Sequence, residues 1–337
     1  MSYHGLLLIH KPADITSHDV VYRLRKILGI QEIGHAGTLD PMATGLMVML
    51  VGQGTKLSQY LIEKEKSYRL KARLGYETET LDRTGKVTKE AFDAAAIVAK
   101  NLPRMVDQIL ALQGEFSWPI PMYSAKKIKG KKLYEIAREG TQIESPLKVM
   151  KFWDVRIHSP ESGVDGSTEN HTKTSTENGS KNKLEGSEFE VSLSCSKGSF
   201  IRSWVKTLGD NLGCGATLES LERTSSFPFH LDDSIRLEEL TERIQRGVPL
   251  DSSRDKFFVP LAEMLPKVKR VFIEGRDVKL LRDGLIGHQL RSLLVARFTP
   301  FEDELVQIQS QDGRELLALV GLDPEKGFQI RRVFSSQ

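Results

Sequence analysis

The distribution of apolar and polar residues predicts strands and helices that alternate along the first part of the chain. Gly5 to Ile9 is a short apolar run typical of a buried strand, and Thr16 or Ser17 can cap a following helix. Leu46 to Val51 is a second apolar run, again typical of a buried strand. Lys66 to Gly75 alternates between apolar and mostly basic residues, which predicts a half-buried strand with one basic face.

The middle of the chain continues this alternation. Ala91 to Leu102 and Met105 to Leu112 have helical spacing and are separated by Pro103. A helix is also predicted from about Ser199 to Leu212. Two strands, Phe152 to His158 and Phe189 to Ser194, are expected to pair with each other.

The segment between these two strands has a different composition. Ser159 to Glu188 is rich in Ser, Thr, Asn, Gly and Glu, and it contains no aromatic residue. Such a sequence buries too little apolar surface to offset the entropy of ordering it. We therefore predict a disordered insertion, and a long flexible loop still allows the flanking strands to pair.

The C-terminal third predicts a change of architecture. Residues 227–265 are predicted to form helical connections interrupted by prolines. About the last 70 residues have the pattern of short strands separated by glycine turns. This pattern favours a small β-barrel. The predicted strands are Val268 to Ile273, Leu290 to Phe298, Glu304 to Ser310, Glu315 to Leu322 and Gln329 to Val333.

Composition agrees with a globular chain of two domains, since 337 residues exceed the usual single-domain length. The net charge of +3 is by itself weak evidence for a polyanionic partner. No apolar run approaches the ~20 residues that span a bilayer, and no signal-peptide pattern is present, so a cytoplasmic protein without membrane contact is expected. Cys195 and Cys214 have no spacing that signals a disulfide framework or a zinc site.

The strongest candidate for chemistry lies in the polar turn before the second apolar run. Asp40 precedes Pro41 and is the only acidic residue between Gly34 and Lys56. A residue before proline is biased towards extended geometry, so the backbone of this carboxylate is partly fixed in advance. An Asp that only caps a turn is the alternative interpretation.

A basic run supplies a second candidate site. Residues 123–151 contain eight Lys or Arg residues against three Glu, with Tyr123 and Tyr134 interleaved. A solvated surface gives the same composition, but positive charge beside aromatic rings is also what binding of a phosphate backbone requires.

Several motifs, in order over roughly residues 9–225, resemble the TruB family of tRNA pseudouridine synthases. They are HKPADITSHDVV, GHAGTLDPMATG, KSYRLKARLG, PMYSAKKIKGKKLYEIAREG, CSKGSFIR and LGCGATLESLERT. The resemblance implies an α+β fold with a central mixed, largely antiparallel sheet flanked by helices. It also implies a catalytic domain over residues 1–265 and a PUA-like RNA-binding barrel over residues 267–335.

The resemblance assigns roles to individual residues. Asp40 is the catalytic carboxylate, Arg202 pairs with it, and Tyr68 stacks on the target base, although a core aromatic is the alternative for Tyr68. Phe200 stands where the common bacterial form has Tyr, so one hydroxyl is missing.

Other implied positions keep structural alternatives. His35 would wedge into the T loop or serve as a turn residue, and Leu221 would contact the nucleotide or only pack against a helix. Lys11 and Pro12 would lie beside the active site or form a surface turn. The basic run would clamp the tRNA stem-loop, and its proposed backbone contacts are Lys126, Lys127, Lys131 and Lys132.

The implied reaction converts uridine to pseudouridine at position 55 in the T loop of tRNA, after flipping of the base. It needs no redox step, and no nucleotide-binding glycine motif is present, so no cofactor and no metal are expected. Asp40 either attacks the sugar covalently or takes up a sugar proton. A monomer without a required protein partner is expected; an RNA-guided synthase and a tRNA-folding chaperone without catalysis are the alternatives.

Overall fold

The computed structural model describes residues 3–62, 64–90, 104–128, 130–141, 143–158, 188–298 and 305–335. Its helices are α1 (Ser17–Leu28), α2 (Ser58–Ile62), α3 (described over 104–111), α4 (Leu133–Arg138), α5 (Ile201–Leu212), α6 (Leu237–Gln245), α7 (Arg276–Arg282) and α8 (His288–Arg297). Within these described segments, none of the helices is long and apolar enough to cross a membrane.

The strands are β1 (Gly5–Lys11), β2 (Ile33–His35), β3 (Thr44–Val51), β4 (Lys66–Leu74), β5 (Tyr76–Thr78), β6 (Val87–Glu90), β7 (Gly114–Pro119), β8 (Lys127–Ile128), β9 (Lys131–Lys132), β10 (Leu147–His158), β11 (Glu188–Cys195), β12 (Ala216–Ser226), β13 (Phe229–His230), β14 (Ile235–Arg236), β15 (Phe258–Pro260), β16 (Lys269–Ile273), β17 (Leu305–Ser310), β18 (Leu316–Asp323) and β19 (Gly327–Val333).

An 11-stranded mixed sheet forms the body of the molecule. Its strands run in the order β14-β1-β3-β12-β4-β11-β10-β7, and β15, β2 and β13 pair at its side. Strands β3 and β12 pair in parallel, as do β1 and β14, and the other pairs are antiparallel. The α+β architecture predicted from the sequence is therefore present.

Helix α1 follows from local sequence signals. The Thr16 side chain accepts a hydrogen bond from the Asp19 amide, and the Asp19 carboxylate accepts one from the Thr16 amide. This capping box satisfies two amides that a helix start leaves without partners. Gly29 ends the helix in a left-handed conformation with φ of 67°. The predicted helix start is confirmed.

Strands β1 and β3 are buried on both faces. Met47, Met49 and Val51 of β3 pack into the main core together with α1, whereas Leu46 and Val48 belong to a second apolar cluster on the opposite face. That second cluster includes residues of the C-terminal sheet. Two-sided burial is the reason that these strands read as unbroken apolar runs rather than as alternating ones.

Strand β4 has the predicted alternation, but its basic face is neutralised. Tyr68 and the other apolar residues of β4 are buried. On the outer face Arg69 pairs with Glu190, and Lys71 pairs with Glu188 at 2.5 Å, both acids lying on β11. Because cross-strand acids balance it, this face is not a free basic surface.

Strands β10 and β11 pair antiparallel as predicted, with His158 opposite Glu190. The predicted insertion lies outside the described residues, except that Glu188 already belongs to β11. The predicted helix over Ala91 to Leu102 also lies outside the described residues. The next predicted helix, over Met105 to Leu112, corresponds to α3.

The C-terminal region differs from the prediction in two respects. Among the described residues, β16 to β19 form an open four-stranded sheet with two edges instead of a closed barrel. The strand predicted over Leu290 to Phe298 was wrong, because this segment is helix α8. Leu290 and Leu294 are buried one helical turn apart, whereas Val295 is exposed. The buried residues of this short apolar run therefore recur with the period of a helix.

The segment 227–265 is also less helical than predicted. It contains helix α6, three short strands (β13, β14 and β15) and two short 3-10 turns. Two of these strands, β14 and β15, pair with β1, so this segment is stabilised as strand by contacts with a distant part of the chain.

Candidate active site

A cleft of about 420 Å³ opens where the loop after β2, strand β4, the turn after β11 and the start of α5 meet. It is lined by seven of the residues selected from the sequence: His35, Asp40, Tyr68, Lys126, Phe200, Arg202 and Leu221. Residues separated by more than 180 positions along the chain therefore share one cavity. Its lining is mostly apolar and includes five charged residues, Asp40, Lys66, Lys126, Lys148 and Arg202.

Asp40 and Arg202 form a two-point ion pair in this cleft. The Nε atom of Arg202 lies 3.0 Å from Oδ2 of Asp40, and its Nη2 atom donates to Oδ1 at 3.2 Å. The Arg202 side chain is only 4% exposed, whereas the Asp40 side chain is 33% exposed. A paired carboxylate with one open side can therefore face a ligand while its orientation is fixed.

The remaining donors of Arg202 are also engaged. Nη1 donates to the carbonyl of Thr80 at 3.0 Å, and Nη2 donates to the carbonyl of Tyr123 at 3.0 Å. Asp82 lies 3.8 Å from Nη1 and accepts hydrogen bonds from Thr84. The guanidinium is thus held from three sides.

Sequence reasoning missed Asp82, which is buried and follows β5 in a tight turn. The signal was the run Asp82-Arg83-Thr84-Gly85, because an Asp that accepts from an amide two residues later is a common turn former.

The loop that carries Asp40 is anchored by buried side chains from β1 and α1. The amine of Lys11 is fully buried and donates to the carbonyls of Pro12, Pro41 and Ala43 at 2.9, 2.9 and 2.7 Å. The hydroxyl of Ser17 donates to the Leu39 carbonyl at 3.0 Å and accepts from the Leu39 amide at 2.9 Å.

These bonds exclude a surface turn for Lys11, because its buried amine joins the backbone at Pro12 to the backbone just after Asp40, at Pro41 and Ala43. Burial lowers the pKa of Lys11 to about 8, and Asp14 and Asp40 oppose that shift.

Arg223 of β12 fixes the other side of the loop, and sequence reasoning did not select it. It is 1% exposed, and it donates to the carbonyls of Leu46, Thr38 and Gly37 at 2.6, 3.4 and 3.2 Å. Its segment is strand β12, so Leu221 packs from a strand and not from a helix. Leu221 and Arg223 share the inward face, which is an unusual position for a charged residue.

Tyr68 projects from β4 into the cleft next to Arg223. The residue is 7% exposed, and burial raises the pKa of Tyr68 to about 12, although Arg223 lowers it in part. Its hydroxyl is therefore neutral at physiological pH. The ring is both a member of the main core and part of the cleft wall.

Three further predicted residues complete the wall. His35 ends β2, and burial, followed by the charge of Arg223, lowers the pKa of His35 so that its neutral form is favoured. Phe200 is the N-cap residue of α5 and packs against the main core. Leu221 is 6% exposed.

The predicted phosphate-contacting lysines are only partly brought to the cleft. Lys126 lines it, whereas Lys127, Lys131 and Lys132 lie on the small hairpin β8–β9. Lys131 pairs with Glu139 at 3.2 Å, and Lys132 donates to the Tyr134 hydroxyl at 3.1 Å.

Comparisons of sequence place these observations in a family. The N-terminal domain model of the TruB family of pseudouridylate synthases matches residues 25–201. The protein "tRNA pseudouridine synthase B" of Bdellovibrio bacteriovorus is 45% identical over 332 residues, which are 98% of this chain and 97% of that protein. The protein of the same name from Clostridium tetani is 36% identical over 282 residues, which are 84% of this chain and 85% of the relative.

Comparisons of structure find the same fold. A chain of a Cbf5-Nop10-Gar1 complex aligns with a TM-score of 0.64 and 20% identity, covering 98% of this chain and 85% of that chain. A chain of an H/ACA RNP bound to a substrate RNA containing 2'-deoxyuridine gives the same score and identity, with coverages of 99% and 86%.

Proposed function

This chain belongs to the TruB family of pseudouridylate synthases, and we propose that Asp40 carries its reaction on a uridine extruded from the T loop of tRNA. The protein is a tRNA pseudouridine synthase, and it isomerises uridine to pseudouridine in tRNA. The observation that carries the proposal is the ion pair between Asp40 and Arg202 in an open cleft.

The chemistry requires an ionised carboxylate beside the sugar of the target nucleotide. The bond between C1′ and N1 breaks and leaves its electron pair on N1, the base turns, and a bond between C1′ and C5 forms. C5 then releases its proton to water and N1 takes one up from water, so the product is an isomer of uridine. An ordinary carboxylate is ionised at neutral pH. The two-point pair with Arg202 fixes the orientation of Asp40. Asp40 either attacks C1′ or removes a proton from the sugar, and both routes use the same placement.

Other residues of the cleft bind and orient the nucleotide. Tyr68 offers its ring to the flipped base, and this contact offsets part of the few kcal/mol that unstacking costs. Leu221 and Phe200 supply apolar walls. His35 lines the cleft, and its lowered pKa favours the neutral imidazole. Its proposed role is to fill the gap that the flipped base leaves in the RNA stack.

We extend the proposal to the domain organisation. Residues 1–265 form the catalytic unit, and residues 267–335 form a PUA-like RNA-binding unit. Support comes from the separate apolar core between β16–β19 and α7–α8. The enzyme acts as a monomer on bare tRNA, since the Asp40 site is assembled from one chain.

Release of tritium from tRNA labelled at C5 of uridine tests the proposal. The wild-type protein should release the label from an unmodified transcript without guide RNA or another protein. Asp40→Asn should abolish release while its tRNA affinity, measured by filter binding, stays within about twofold, because the substitution keeps the shape of the side chain. The matched control is Asp210→Asn, an exposed acid of the helix that carries Arg202.

Two results would contradict the proposal. Turnover by Asp40→Asn would show that the reaction does not require the carboxylate. Release that persists when the T-loop target uridine of the transcript is replaced by cytidine would place the reaction elsewhere in tRNA.

A further inference from the structure

A second group of positive charges lies at the cleft on segments other than the Asp40 loop. Lys148 lies on β10, Lys126 directly precedes β8, and both line the cleft. Lys197 lies in the turn between β11 and α5, next to the cleft residues Ser196 and Gly198. Two lysines therefore form one wall of the cleft, and the third is close enough for its charge to act on Lys148.

Lys148 is held close to the backbone of this turn. A Cβ atom built on Gly198 would lie 2.1 Å from the Lys148 amine, and Gly198 has φ of +66°. The positive φ favours glycine at position 198, and a side chain there would displace the flexible end of Lys148 from its place. The glycine allows the amine to lie against the main chain at the cleft wall.

The cations of this wall act on each other. Burial lowers the pKa of Lys148, and the charges of Lys126 and Lys197 lower it further. Like charges gathered at one place destabilise the folded protein unless an anion approaches them.

No acid of the described residues balances Lys126 or Lys148, since neither amine lies within 4.0 Å of a carboxylate there. Elsewhere the protein does balance its lysines, because Lys71 pairs with Glu188 and Lys131 with Glu139. Within the cleft lining Asp40 is the only acid, and it is already paired with Arg202. Among the described residues, the charges of Lys126 and Lys148 are therefore left for a ligand.

We propose that Lys148 and Lys126, assisted by the charge of Lys197, bind a phosphodiester of the RNA backbone next to the extruded nucleotide. This inference rests on the proposed function, because the shared cleft makes the bound anion part of the same RNA as the uridine. Lys148 is a binding residue that the basic-run prediction did not select for phosphate contact, and it enters the site from a strand rather than from the hairpin.

The first test compares two lysines of strand β10. Lys148→Ala should raise KM for tRNA by about tenfold with kcat nearly unchanged, because one charge-assisted contact is lost. The slope of log affinity against log salt concentration should become shallower by about 0.7 to 0.9, the value for one phosphate. Lys148→Arg should restore both, and Lys151→Ala, which removes an exposed lysine from the opposite face of the strand, should change neither.

The second test neutralises the phosphates of the RNA. A series of stem-loops carries one uncharged methylphosphonate at each position flanking the target uridine. At one position the wild type should bind as weakly as Lys148→Ala binds natural RNA, and Lys148→Ala should lose nothing further there.

The outcomes separate this inference from the proposed function. If the wild type releases tritium but Lys148→Ala retains the KM and salt slope of Lys151→Ala, the phosphate site is refuted alone. Loss of kcat in Lys148→Ala with unchanged KM and salt slope would also refute it, because that result indicates a structural role. If the wild type releases no tritium, the proposed function fails.

Discussion

At the scale of the residue, the candidate site depends on buried cations whose partners are mainly backbone carbonyls. Lys11 and Arg223 direct their donors at the main chain of the Asp40 loop, and Lys66 donates to the carbonyls of Lys64 and Ile62 at 2.7 and 3.3 Å. A cation removed from water needs such acceptors, and it fixes the backbone that supplies them. The loop geometry therefore depends on side chains distant in sequence.

Lys66 gives a pH-dependent prediction. Burial, together with the charge of Arg223, lowers the pKa of Lys66 to about 8 from the model-peptide value of 10.5. Between these two values the unfolded chain binds more protons than the folded protein, so a rise in pH favours the folded state. The free energy of unfolding of the wild type, relative to Lys66→Met, should therefore increase above about pH 8, by at most about 1.4 kcal/mol per pH unit.

Urea denaturation at several pH values measures this difference. Lys71→Met is the matched control on the same strand, because Glu188 raises the pKa of the exposed Lys71 and no gain is expected in this window. If the difference in unfolding free energy between the wild type and Lys66→Met stays constant or falls above pH 8, the lowered pKa of Lys66 is contradicted.

At the scale of the element, the join between the Asp40 loop and β3 demands a glycine. Gly45 has φ of +100°, and a Cβ atom there would lie 2.4 Å from the carbonyl oxygen of Arg223. Gly45 and Arg223 face each other in the parallel pair of β3 and β12. The close approach of these two strands therefore brings the end of the Asp40 loop next to Arg223, whose side chain anchors it.

Gly45→Ala should lower both stability and activity. The strained conformation and the contact with backbone atoms should together cost at least about 2 kcal/mol of unfolding free energy. Because the strain is at the end of the loop, kcat should fall as well. Gly29→Ala is the control, since Gly29 also has a positive φ but nothing lies within 4 Å of its Cβ position.

The control should lose about 1 kcal/mol and keep its kcat. Thermal denaturation and the tritium assay on both variants give the comparison. Equal kcat in the two variants would show that the loop tolerates the strain.

At the scale of the whole molecule, the C-terminal sheet (β16–β19) and the main sheet are two structural units packed against each other. Leu319 and Phe334 share an apolar cluster with Leu6 and Leu8 of β1 and with alternate residues of β3. Buried glutamines add polar contacts, since Gln309 donates to the Ala262 carbonyl at 2.7 Å. An interface with an apolar centre couples the unfolding of the two units.

Phe334→Ala tests this coupling. The side chain is fully buried, so its truncation should cost about 3 to 5 kcal/mol. Differential scanning calorimetry should show one transition in the wild type, and that transition should move to lower temperature as a whole in the variant. Phe272→Ala removes an exposed ring of β16 and should change the melting temperature little.

Two separate transitions in the wild type, with only one of them moved by Phe334→Ala, would show that the units unfold independently.

The sequence by itself determined the features that depend on neighbouring residues. The apolar runs predicted β1 and β3, and the N-cap candidates Thr16 and Ser17 predicted the start of α1. The motif resemblance selected Asp40, Tyr68 and Arg202, which the fold brings to one cleft. Local period and spacing carry this information.

Only the tertiary structure decided which groups meet across the chain. It placed the C-terminal sheet on the second face of β1 and β3. It also gave Lys11 and Arg223 backbone carbonyls as partners. The physical reason is that every residue has a backbone carbonyl and many apolar surfaces could cover a strand. Composition and periodicity therefore do not show which carbonyl or which surface becomes the partner.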